Sequence, residues 1–398
     1  MMITEMWRIL LLTDGDPNDT SNGGNLTILG ILQSLCSHGH EVTLINTSKF
    51  MSQIQVYKWD ESKLQKQSEE PISARSSRNK ISDFVGSFPG LSFRSEVDRL
   101  NTEGQFDAVF SYHWNGASAI PKGLNLPIFC FLGDPLDIPY SFQVHGNKSI
   151  SAKLRIYFVQ SILRFQMQRF IPKNAVIGVF SFGHTKYYSK ILKRKCNYVR
   201  TPIQSKLIST YTRSDRLSNS NSITLVHLGV PTGTVTRNSL NWLDKVIFPI
   251  VESDSVLSSI RWLFIGQNFS DYQYQFPQIF SSTKVSFVDH IQDLGELDTL
   301  RSVLVVPSDI KLGIRTRILT AFQLGMPVLS HSSSEFGIPE LRDLHNYYSF
   351  TNPDQFIEKL RLIIADPELR AVISEGARSD VSEQFSLRNF YHSIFRMS

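Results

Sequence analysis

Arg8-Ile-Leu-Leu-Leu-Thr13 opens the stretch that indicates the fold. This short apolar run leads into the glycine-rich Ser21-Asn-Gly-Gly24, and leucines and isoleucines follow at near-helical spacing as far as Leu35. A second apolar run, Glu41-Val-Thr-Leu-Ile45, comes next. A buried strand, a helix and another buried strand within residues 8–45 predict two neighbouring parallel strands of one sheet.

The same alternation continues along the chain and restarts after a polar stretch. Further predicted strands span residues 108–111, 128–132, 176–180, 224–228, 261–265, 285–288, 302–306 and 327–329. Predicted helices span residues 153–171, 184–193, 238–251 and 316–324, and residues 354–398 are mostly helical. The polar residues 48–105 predict an insertion with helical pieces and a loop.

These elements predict an α/β fold with two Rossmann-like domains, each a doubly wound parallel sheet. We assign the first domain to residues 1–203, a linker to 204–222 and the second domain to 223–375. We expect a C-terminal helix, residues 376–398, to cross back to the first domain. Parallel sheets bind ligands beyond the carboxyl ends of their strands, so two facing sheets predict a cleft with the site inside it.

Length and composition exclude several classes of protein. With 398 residues the chain is too long for one ordinary hydrophobic core, and its 41% apolar content is ample for two. No apolar run approaches the ~20 residues that cross a bilayer, and the N-terminus is unlike a secretory signal. Three distant cysteines exclude a disulfide framework and a cysteine-rich zinc site. We therefore expect a protein of the reducing cytoplasm.

The charge of the chain is unevenly distributed. Residues 138–214 contain 14 lysines and arginines and no Asp or Glu, whereas the rest of the chain has 27 basic and 36 acidic residues. A basic block of this length on an acidic body indicates an anionic partner surface. A solvated face without a partner is the alternative, and the composition alone does not separate the two.

Glycines and arginines mark two loops as candidates for binding an anion. Gly23 and Gly24 precede a predicted helix, where backbone N–H groups attract negative charge, although a tight turn explains them equally well. Gly313-Ile-Arg-Thr-Arg317 opens another helix with two arginines, which the helix dipole disfavours there and which a diphosphate between them would explain. Two solvated arginines are the alternative. Arg237, after the first strand of the second domain, is a further candidate phosphate contact, although an ordinary loop arginine explains its spacing equally well.

Other polar residues follow strands of the first domain. Asp14-Gly-Asp16 has the spacing of a metal-binding carboxylate pair, but turn-forming aspartates are common beside a proline such as Pro17, so we predict no metal. His113 and Asp134 each follow a predicted strand and are candidates for an acid, a base or an acceptor of a sugar hydroxyl, although a single residue at such a position is more often structural. The chain has no P-loop, no dinucleotide-binding glycine motif and no nucleophile elbow.

Taken in order, these motifs resemble those of the GT-B glycosyltransferases, specifically the family 4 type (glycosyl transferases group 1). The first strand, the Gly23-Gly24 loop and Leu35-Cys-Ser-His-Gly-His-Glu-Val-Thr-Leu44 are similar to the start of that family's first domain. The second half is similar over a longer span. The matching segments run from Leu225-Val-His-Leu-Gly229 through Phe264-Ile-Gly266, Val285–Leu294 and Val306-Pro307 to Gly325-Met-Pro-Val-Leu329 and Glu335-Phe-Gly-Ile338.

The resemblance implies transfer of a sugar from a nucleotide-diphosphate sugar to an acceptor hydroxyl, with retention at the anomeric carbon and with neither a metal nor a cofactor. The donor diphosphate would meet the helix start at Gly313, Ile314, Arg315 and Thr316, and Arg237 and Arg317 match the family's basic positions. Thr320 and, near the base, Ile291 complete the implied donor contacts, with Gly23 and Gly24 from the first domain. His113 and Asp134 would lie at the reacting centre, beside the acceptor.

One departure from the family pattern bears on activity. The family has two glutamates separated by seven residues, and these positions hold Leu312 and Thr320 here. A carboxylate accepts two hydrogen bonds from ribose hydroxyls, whereas threonine is a weaker, neutral partner. An active enzyme that holds its donor differently is one interpretation. A catalytically inactive binding subunit and a GT-B sugar-nucleotide epimerase are the alternatives.

The resemblance also bears on the basic block. Acceptors in this family are often lipid-linked, and anionic membranes attract basic residues. Lys186, Lys190 and residues 193–195 cluster around one predicted helix, with Tyr187, Tyr188, Ile191 and Leu192 interleaved as in an interface helix. We therefore predict peripheral contact with an anionic membrane through residues 148–200, a lipid-linked or polysaccharide acceptor, and no nucleic-acid partner.

Overall fold

The chain forms two compact units in the computed structural model. The first comprises Met1–Gln204 and Leu387–Ser398, and the second comprises Ser205–Ser386. The structure describes residues 5–19, 23–47, 53–60, 63–71, 93–104, 106–140, 149–203, 222–289, 291, 297, 299 and 301–397. The predicted linker, 204–222, lies outside the described residues except for Ser222.

The first unit is built on a sheet of eight strands in the order β4-β3-β2-β1-β5-β6-β7-β8. The strands are β1 (Arg8–Thr13), β2 (Glu41–Asn46), β3 (Gln53–Asp60), β4 (Lys63–Pro71), β5 (Ala108–Tyr112), β6 (Ile128–Leu132), β7 (Val176–Val179) and β8 (Asn197–Tyr198). The helices of this unit are α1 (Gly23–Ser37), α2 (Arg94–Gly104), α3 (His113–Ala119), α4 (Ile150–Phe170), α5 (Phe182–Leu192) and the C-terminal α12 (Leu387–Met397). From β2 to β8 the neighbouring strands pair in parallel, as their continuous apolar runs predict.

An antiparallel hairpin at one sheet edge corrects the prediction of an irregular insertion over residues 48–105. β3 pairs antiparallel with β2 and with β4. Ile54 and Val56 alternate with Gln53 and Gln55, the period of a strand, although the polar composition suggested otherwise. The Tyr57 hydroxyl donates to Gln55 Oε1 at 2.7 Å, which pairs a buried polar side chain. The remaining part of the insertion, residues 72–92, lies outside the described residues.

The second unit has a six-stranded, wholly parallel sheet in the order β11-β10-β9-β12-β13-β14. The strands are β9 (Thr224–Leu228), β10 (Arg261–Ile265), β11 (Val285–Val288), β12 (Ser302–Val306), β13 (Val328–His331) and β14 (Tyr348–Phe350). The helices are α6 (Thr234–Trp242), α7 (Phe248–Ser253), α8 (Pro277–Ser281), α9 (Thr316–Leu324), α10 (Pro353–Ala365) and α11 (Pro367–Gln384). A single π turn, Leu243–Ile247, joins α6 to α7.

Both sheets have the strand order of a doubly wound fold, which confirms the predicted fold class. In each, the direction of winding reverses between the first strand and its later neighbour, β1 and β5 in one unit and β9 and β12 in the other. Ligands bind beyond the carboxyl ends of the strands at such a reversal. The topology therefore marks the residues after β1 and β5, and those after β9 and β12.

The C-terminal segment differs from its predicted boundary. Residue 376 falls inside α11, which packs with α9 in the second unit, and the chain belongs to the first unit again only from Leu387. There α12 packs on α1, and the Ser34 hydroxyl donates to the Leu387 carbonyl at 2.7 Å. The Asp366-Pro367 helix start and the continuous helical spacing after it explain why α11 runs through the predicted break.

The structure also corrects which side chains of α5 are exposed. Tyr188 is fully buried and its hydroxyl donates to the Gly133 carbonyl at 2.9 Å. Ile191 and Leu192 pack against the core of the first unit, and the Tyr187 hydroxyl donates to Asp137. The aromatic and aliphatic side chains between the lysines of α5 therefore stabilise the first unit and do not form an exposed apolar face.

Candidate functional site

Two loops lie beyond the carboxyl ends of β9 and β12, at the reversal point of the second sheet. Gly229 follows β9 directly and the loop up to Gly233 leads into α6, while residues 307–315 connect β12 to α9. A buried polar framework holds the second loop, since the Ser333 hydroxyl donates to the Ser308 carbonyl at 2.6 Å. Arg315 Nη2 donates to the Ile310 carbonyl at 2.7 Å and closes this loop before α9 begins.

Arg317, in the first turn of α9, reaches across to the other loop. Its Nη1 donates to the Leu228 carbonyl, the last of β9. Burial, and then the positive charge of Arg315, lower the pKa of Arg317. No carboxylate of the described residues forms an ion pair with Arg317. Arg317 is half-buried, and a partly desolvated cation without a counter-ion at the N-terminus of a helix is a site that an anion would stabilise.

Gly229 permits this approach of the arginine. Its φ of 145° lies in the region that L side chains rarely adopt, and a Cβ there would lie 3.1 Å from Arg317 Nη1 and 2.8 Å from Thr236 Oγ1. The guanidinium and the backbone of the first loop can therefore lie side by side at the sheet edge. A ligand at this edge would meet both.

Gly337 packs the Glu335-Phe-Gly-Ile338 segment onto the loop before α9. A Cβ on Gly337 would lie 2.1 Å from the Gly313 carbonyl oxygen and 3.0 Å from Ile314 Cα. Only a residue without a side chain fits at this backbone contact. Gly313 and Ile314 are thereby held in place at the start of α9, where Thr316 is the first helical residue.

Arg237 holds the loop after β9 rather than projecting freely. Its Nη2 donates to the Thr232 carbonyl at 3.0 Å and its Nε to the Pro231 carbonyl at 3.3 Å. The guanidinium carbon lies 5.9 Å from the centre of the Tyr272 ring. The side chain remains exposed, so its charge faces solvent beside the loop.

The remaining predicted donor contacts lie in three different parts of the structure. The Thr320 hydroxyl donates to the Thr316 carbonyl at 3.3 Å, one turn back along α9. Ile291 is half-buried and follows β11, and its neighbours in the chain, 290 and 292, lie outside the described residues. Gly23 and Gly24 are the first residues of α1 in the first unit, where the Thr27 hydroxyl donates to the Gly23 carbonyl at 2.9 Å.

At the reversal point of the first sheet, His113 pairs with Asp14. His113 Nδ1 lies 3.3 Å from Asp14 Oδ2, and Asn115 Nδ2 donates to the same oxygen at 3.0 Å. Burial opposes the charge on His113, but the hydrogen bond to Asp14 and the charges of Asp14 and Asp134 outweigh it and raise its pKa above 6.5. The histidine backbone has φ of 62°, an uncommon conformation for a residue with a side chain.

Asp134 lies on the neighbouring loop after β6, close to the same histidine. Gly133 leaves room for the imidazole, because a Cβ there would lie 2.7 Å from His113 Cδ2. The Trp114 indole donates to the Asp134 carbonyl at 3.3 Å, and Asp134 Oδ1 lies 3.6 Å from His184 Nδ1. The Asp134 side chain is 45% exposed and so accessible to a ligand. The structure thus brings His113 and Asp134 together, as their positions after β5 and β6 predict.

Asp14 is the residue of this group that sequence reasoning missed. Its spacing from Asp16 suggested a turn, and Asp16 does accept from the Asn18 backbone N–H at 2.9 Å. Asp14, however, directly follows β1, and His113 directly follows β5. Because these two strands pair in parallel, the prediction of that pairing could have placed Asp14 beside His113. Among the described residues no three His, Cys, Asp or Glu side chains form a group that could hold a metal ion.

Comparison with known proteins supports the fold and locates a family match. Residues 224–366 match the family model described as Glycosyl transferases group 1, and they contain the Arg317 loops. No curated protein matches the chain significantly. Solved structures that cover nearly the whole chain include sucrose-phosphate synthase from Thermosynechococcus elongatus, with 12% identity, a TM-score of 0.69 and coverage of 99% of this chain and 98% of that chain.

Two further structures have the same fold. WaaG, a glycosyltransferase involved in lipopolysaccharide biosynthesis, is 15% identical with a TM-score of 0.65, covering 98% of this chain and 99% of its own. HepE of Anabaena, in complex with UDP-glucose, is 13% identical with a TM-score of 0.64, covering 98% of each chain. The resemblance inferred from the sequence is therefore confirmed: the chain has the fold of the GT-B glycosyltransferases, and its second unit carries the group 1 match.

Proposed function

We propose that the protein is a glycosyltransferase that moves a sugar from a nucleoside-diphosphate sugar to an acceptor hydroxyl, with retention and without a metal ion. One observation carries the proposal. Arg317 is a half-buried cation with no carboxylate partner among the described residues, and it lies against Gly229 at the reversal point of a doubly wound sheet. A diphosphate supplies the missing negative charge.

In the second unit, arginine side chains and backbone N–H groups bind different parts of the donor. Arg317 pairs with the diphosphate, and the free N–H groups at the start of α9, after Gly313, donate to its oxygens. Arg237 adds an exposed charge beside the loop that it holds. The base lies near Ile291, beyond β11. The family match over this unit and the complex of HepE with UDP-glucose support this assignment.

In the first unit, His113 and Asp134 serve the acceptor and the reacting centre. Transfer breaks the bond between the sugar C1 and a β-phosphate oxygen, forms a bond from C1 to the acceptor oxygen, and passes the acceptor's proton to the departing diphosphate. Asp14 fixes Nδ1 of His113 and favours its cationic form, so that Nε2 can donate a hydrogen bond. Asp134 accepts hydrogen bonds from hydroxyls.

We further propose a lipid-linked or polysaccharide acceptor and contact with an anionic membrane through residues 148–200, with the protein cytoplasmic or peripheral on the inner face. The acid-free basic block supports this part of the proposal. Among the described residues no helix is both long and apolar enough to cross a bilayer.

The test is a turnover assay with a panel of nucleoside-diphosphate sugars, read as release of nucleoside diphosphate in the presence and absence of acceptors and of a chelator. We expect one donor to be consumed, with no loss of rate on chelation. A second candidate is a binding subunit without turnover, which the apolar Leu312 and the internally bonded Thr320 favour. Nucleotide binding without consumption of any donor would favour that second candidate.

A further inference from the structure

Helix α4 exposes an apolar stripe on its solvent face. Its members are Ile150, Leu154, Tyr157, Phe158 and Phe165, which are 77%, 64%, 55%, 61% and 59% exposed. The last four lie 4, 7, 8 and 15 residues after Ile150. In a helix with 3.6 residues per turn, these spacings place all five side chains on one side. The stripe is about 22 Å long at 1.5 Å per residue. An apolar patch of this kind on a folded surface marks an interaction site.

The opposite face of α4 is firmly attached to the first unit. Leu163 and Met167 are buried in its core, and Gln160 Nε2 donates to the Asp137 carbonyl at 3.0 Å. Arg164 Nε donates to Asp137 Oδ2 at 2.7 Å. The exposed stripe is therefore not a displaced core face, since this helix already has its own core contacts.

Cations border the stripe, and α4 itself has no acidic residue. Lys153, Arg155 and Arg169 are on α4, and none of them forms an ion pair with another residue in the described part of the chain. The helix belongs to residues 138–214, which contain no Asp or Glu. An apolar stripe with basic borders is the pattern of a helix that lies in the plane of a membrane surface.

We propose that α4 docks in the plane of an anionic phospholipid bilayer, with its apolar stripe among the acyl chains and Lys153, Arg155 and Arg169 at the headgroups. This deepens the membrane contact proposed above through residues 148–200 and assigns it to α4, whereas the lysine cluster in the sequence favoured α5 within that range. Charge complementarity favours lipid over a protein partner, because the borders carry one sign of charge only. The proposal is independent of sugar transfer.

The test is co-sedimentation of the full chain with vesicles of phosphatidylcholine, with and without phosphatidylglycerol, in the absence of nucleotide. We expect binding to the anionic vesicles that added salt weakens. Leu154→Ser with Phe158→Ser should weaken it about tenfold for each side chain, and Lys153→Glu with Arg155→Glu at least about fivefold for each charge. Tyr274→Ser and Val372→Ser, two exposed apolar residues of the second unit, are the matched controls and should bind like wild type.

Three results would overturn the proposal: no binding to either vesicle, equal binding to both, or binding unaffected by the α4 variants. A dimer in analytical ultracentrifugation that Leu154→Ser with Phe158→Ser dissociates, together with no vesicle binding, would assign the stripe to a second copy of the chain instead. Titration of the same variants with uridine diphosphate separates this outcome from the proposed function, because nucleotide binding does not require lipid.

Discussion

The His113–Asp14 pair gives the candidate reacting centre its charge. Two opposing effects act on the imidazole: burial lowers its pKa, and the hydrogen bond and charge of Asp14, with the charge of Asp134, raise it further than burial lowers it. The geometry holds Nδ1 toward Asp14 at 3.3 Å. The protonation state of His113 therefore depends mainly on Asp14, which follows a neighbouring strand, with a smaller effect from Asp134.

We predict that Asp14→Asn lowers the pKa of His113, because burial remains while the main favourable charge is removed. NMR titration of the imidazole measures the change. Transfer should slow near neutral pH, with nucleotide affinity unchanged, since Asp14 lies in the other unit from Arg317. Asp16→Asn is the matched control because Asp16 serves a local turn. An unchanged His113 pKa in Asp14→Asn would contradict this role.

Thr320 is the residue at which the chain departs from the family pattern. Its hydroxyl is bonded back to the Thr316 carbonyl, a weak contact at 3.3 Å. We predict that Thr320→Glu tightens binding of the cognate nucleoside diphosphate by about tenfold, the gain of a charged hydrogen bond to ribose. Calorimetry compares it with Thr320→Gln, which has similar size but no charge. Equal affinities in wild type and both variants would show that the ribose is held elsewhere.

At the scale of elements, the loops after the strands are positioned by backbone contact. The Gly337 segment touches the Gly313 carbonyl, and Gly337 has φ of −90° and ψ of −33°, which any residue adopts. A substitution there therefore acts through sterics alone.

We predict that Gly337→Ala displaces the Gly313 loop, lowers nucleotide affinity at least about tenfold and reduces stability by about 1–3 kcal/mol through overpacking. Calorimetry and thermal unfolding measure the two effects. Gly233→Ala is the stability control, because the atoms nearest to its Cβ lie 3.7 Å away or more and its backbone is extended. A Gly337→Ala protein with wild-type affinity would contradict the assignment of this loop to the donor.

The C-terminal helix α12 is attached to the first unit through a neutral histidine. His40 Nδ1 accepts from the Trp7 backbone N–H at 3.1 Å, and Nε2 lies 2.8 Å from the Tyr391 hydroxyl. Burial, then the charge of His38, lower the pKa of His40 to about 4. Because its ordinary pKa is 6.5, the unfolded chain binds the proton more readily between these values.

The stability due to neutral His40 is therefore complete above pH 6.5 and is lost as the pH falls toward about 4. We predict that the fall in pKa from 6.5 to about 4 makes this loss about 3 kcal/mol, and that His40→Gln reduces it. Chemical unfolding at a series of pH values measures it. His345→Gln, an exposed histidine of the other unit, should retain the full pH dependence. If the free energy of unfolding of wild type and of His40→Gln depended on pH in the same way, neutral His40 would not be what stabilises the contact with α12.

Elements with continuous apolar runs were predictable from the sequence, and short or polar ones were not. β6, β9, β10, β11 and β12 have their predicted bounds because apolar residues make up most of each strand, with uninterrupted runs of four or five in β6, β10 and β12. β3 was missed because its composition is polar although its period is that of a strand. α3 was missed because it begins at His113, whose positive φ no local pattern indicates.

At the scale of the whole molecule, the fold depends on the alternation of apolar strands and helices, whereas the candidate site depends on a few individual side chains. Sequences only 12–15% identical share this fold, since alternating strands and helices suffice to specify two doubly wound sheets. The ends of β1, β5, β9 and β12 then determine where polar residues meet. Sequence could place His113, Asp134 and Arg317 at strand ends or helix starts, but partners distant in the chain, such as Asp14 and Leu228, required the structure.

The central claim is that Arg317 binds the diphosphate of a nucleotide donor, and isothermal titration calorimetry tests it most directly. Uridine, guanosine, adenosine, cytidine and thymidine diphosphates are titrated into wild type, Arg317→Ala and, as a matched control, Arg261→Ala. We predict that one of them binds wild type and Arg261→Ala, with and without a chelator. Arg317→Ala should be folded by circular dichroism and bind at least about tenfold more weakly. Equal binding by a folded Arg317→Ala, or no binding of any of them to wild type, would contradict the account.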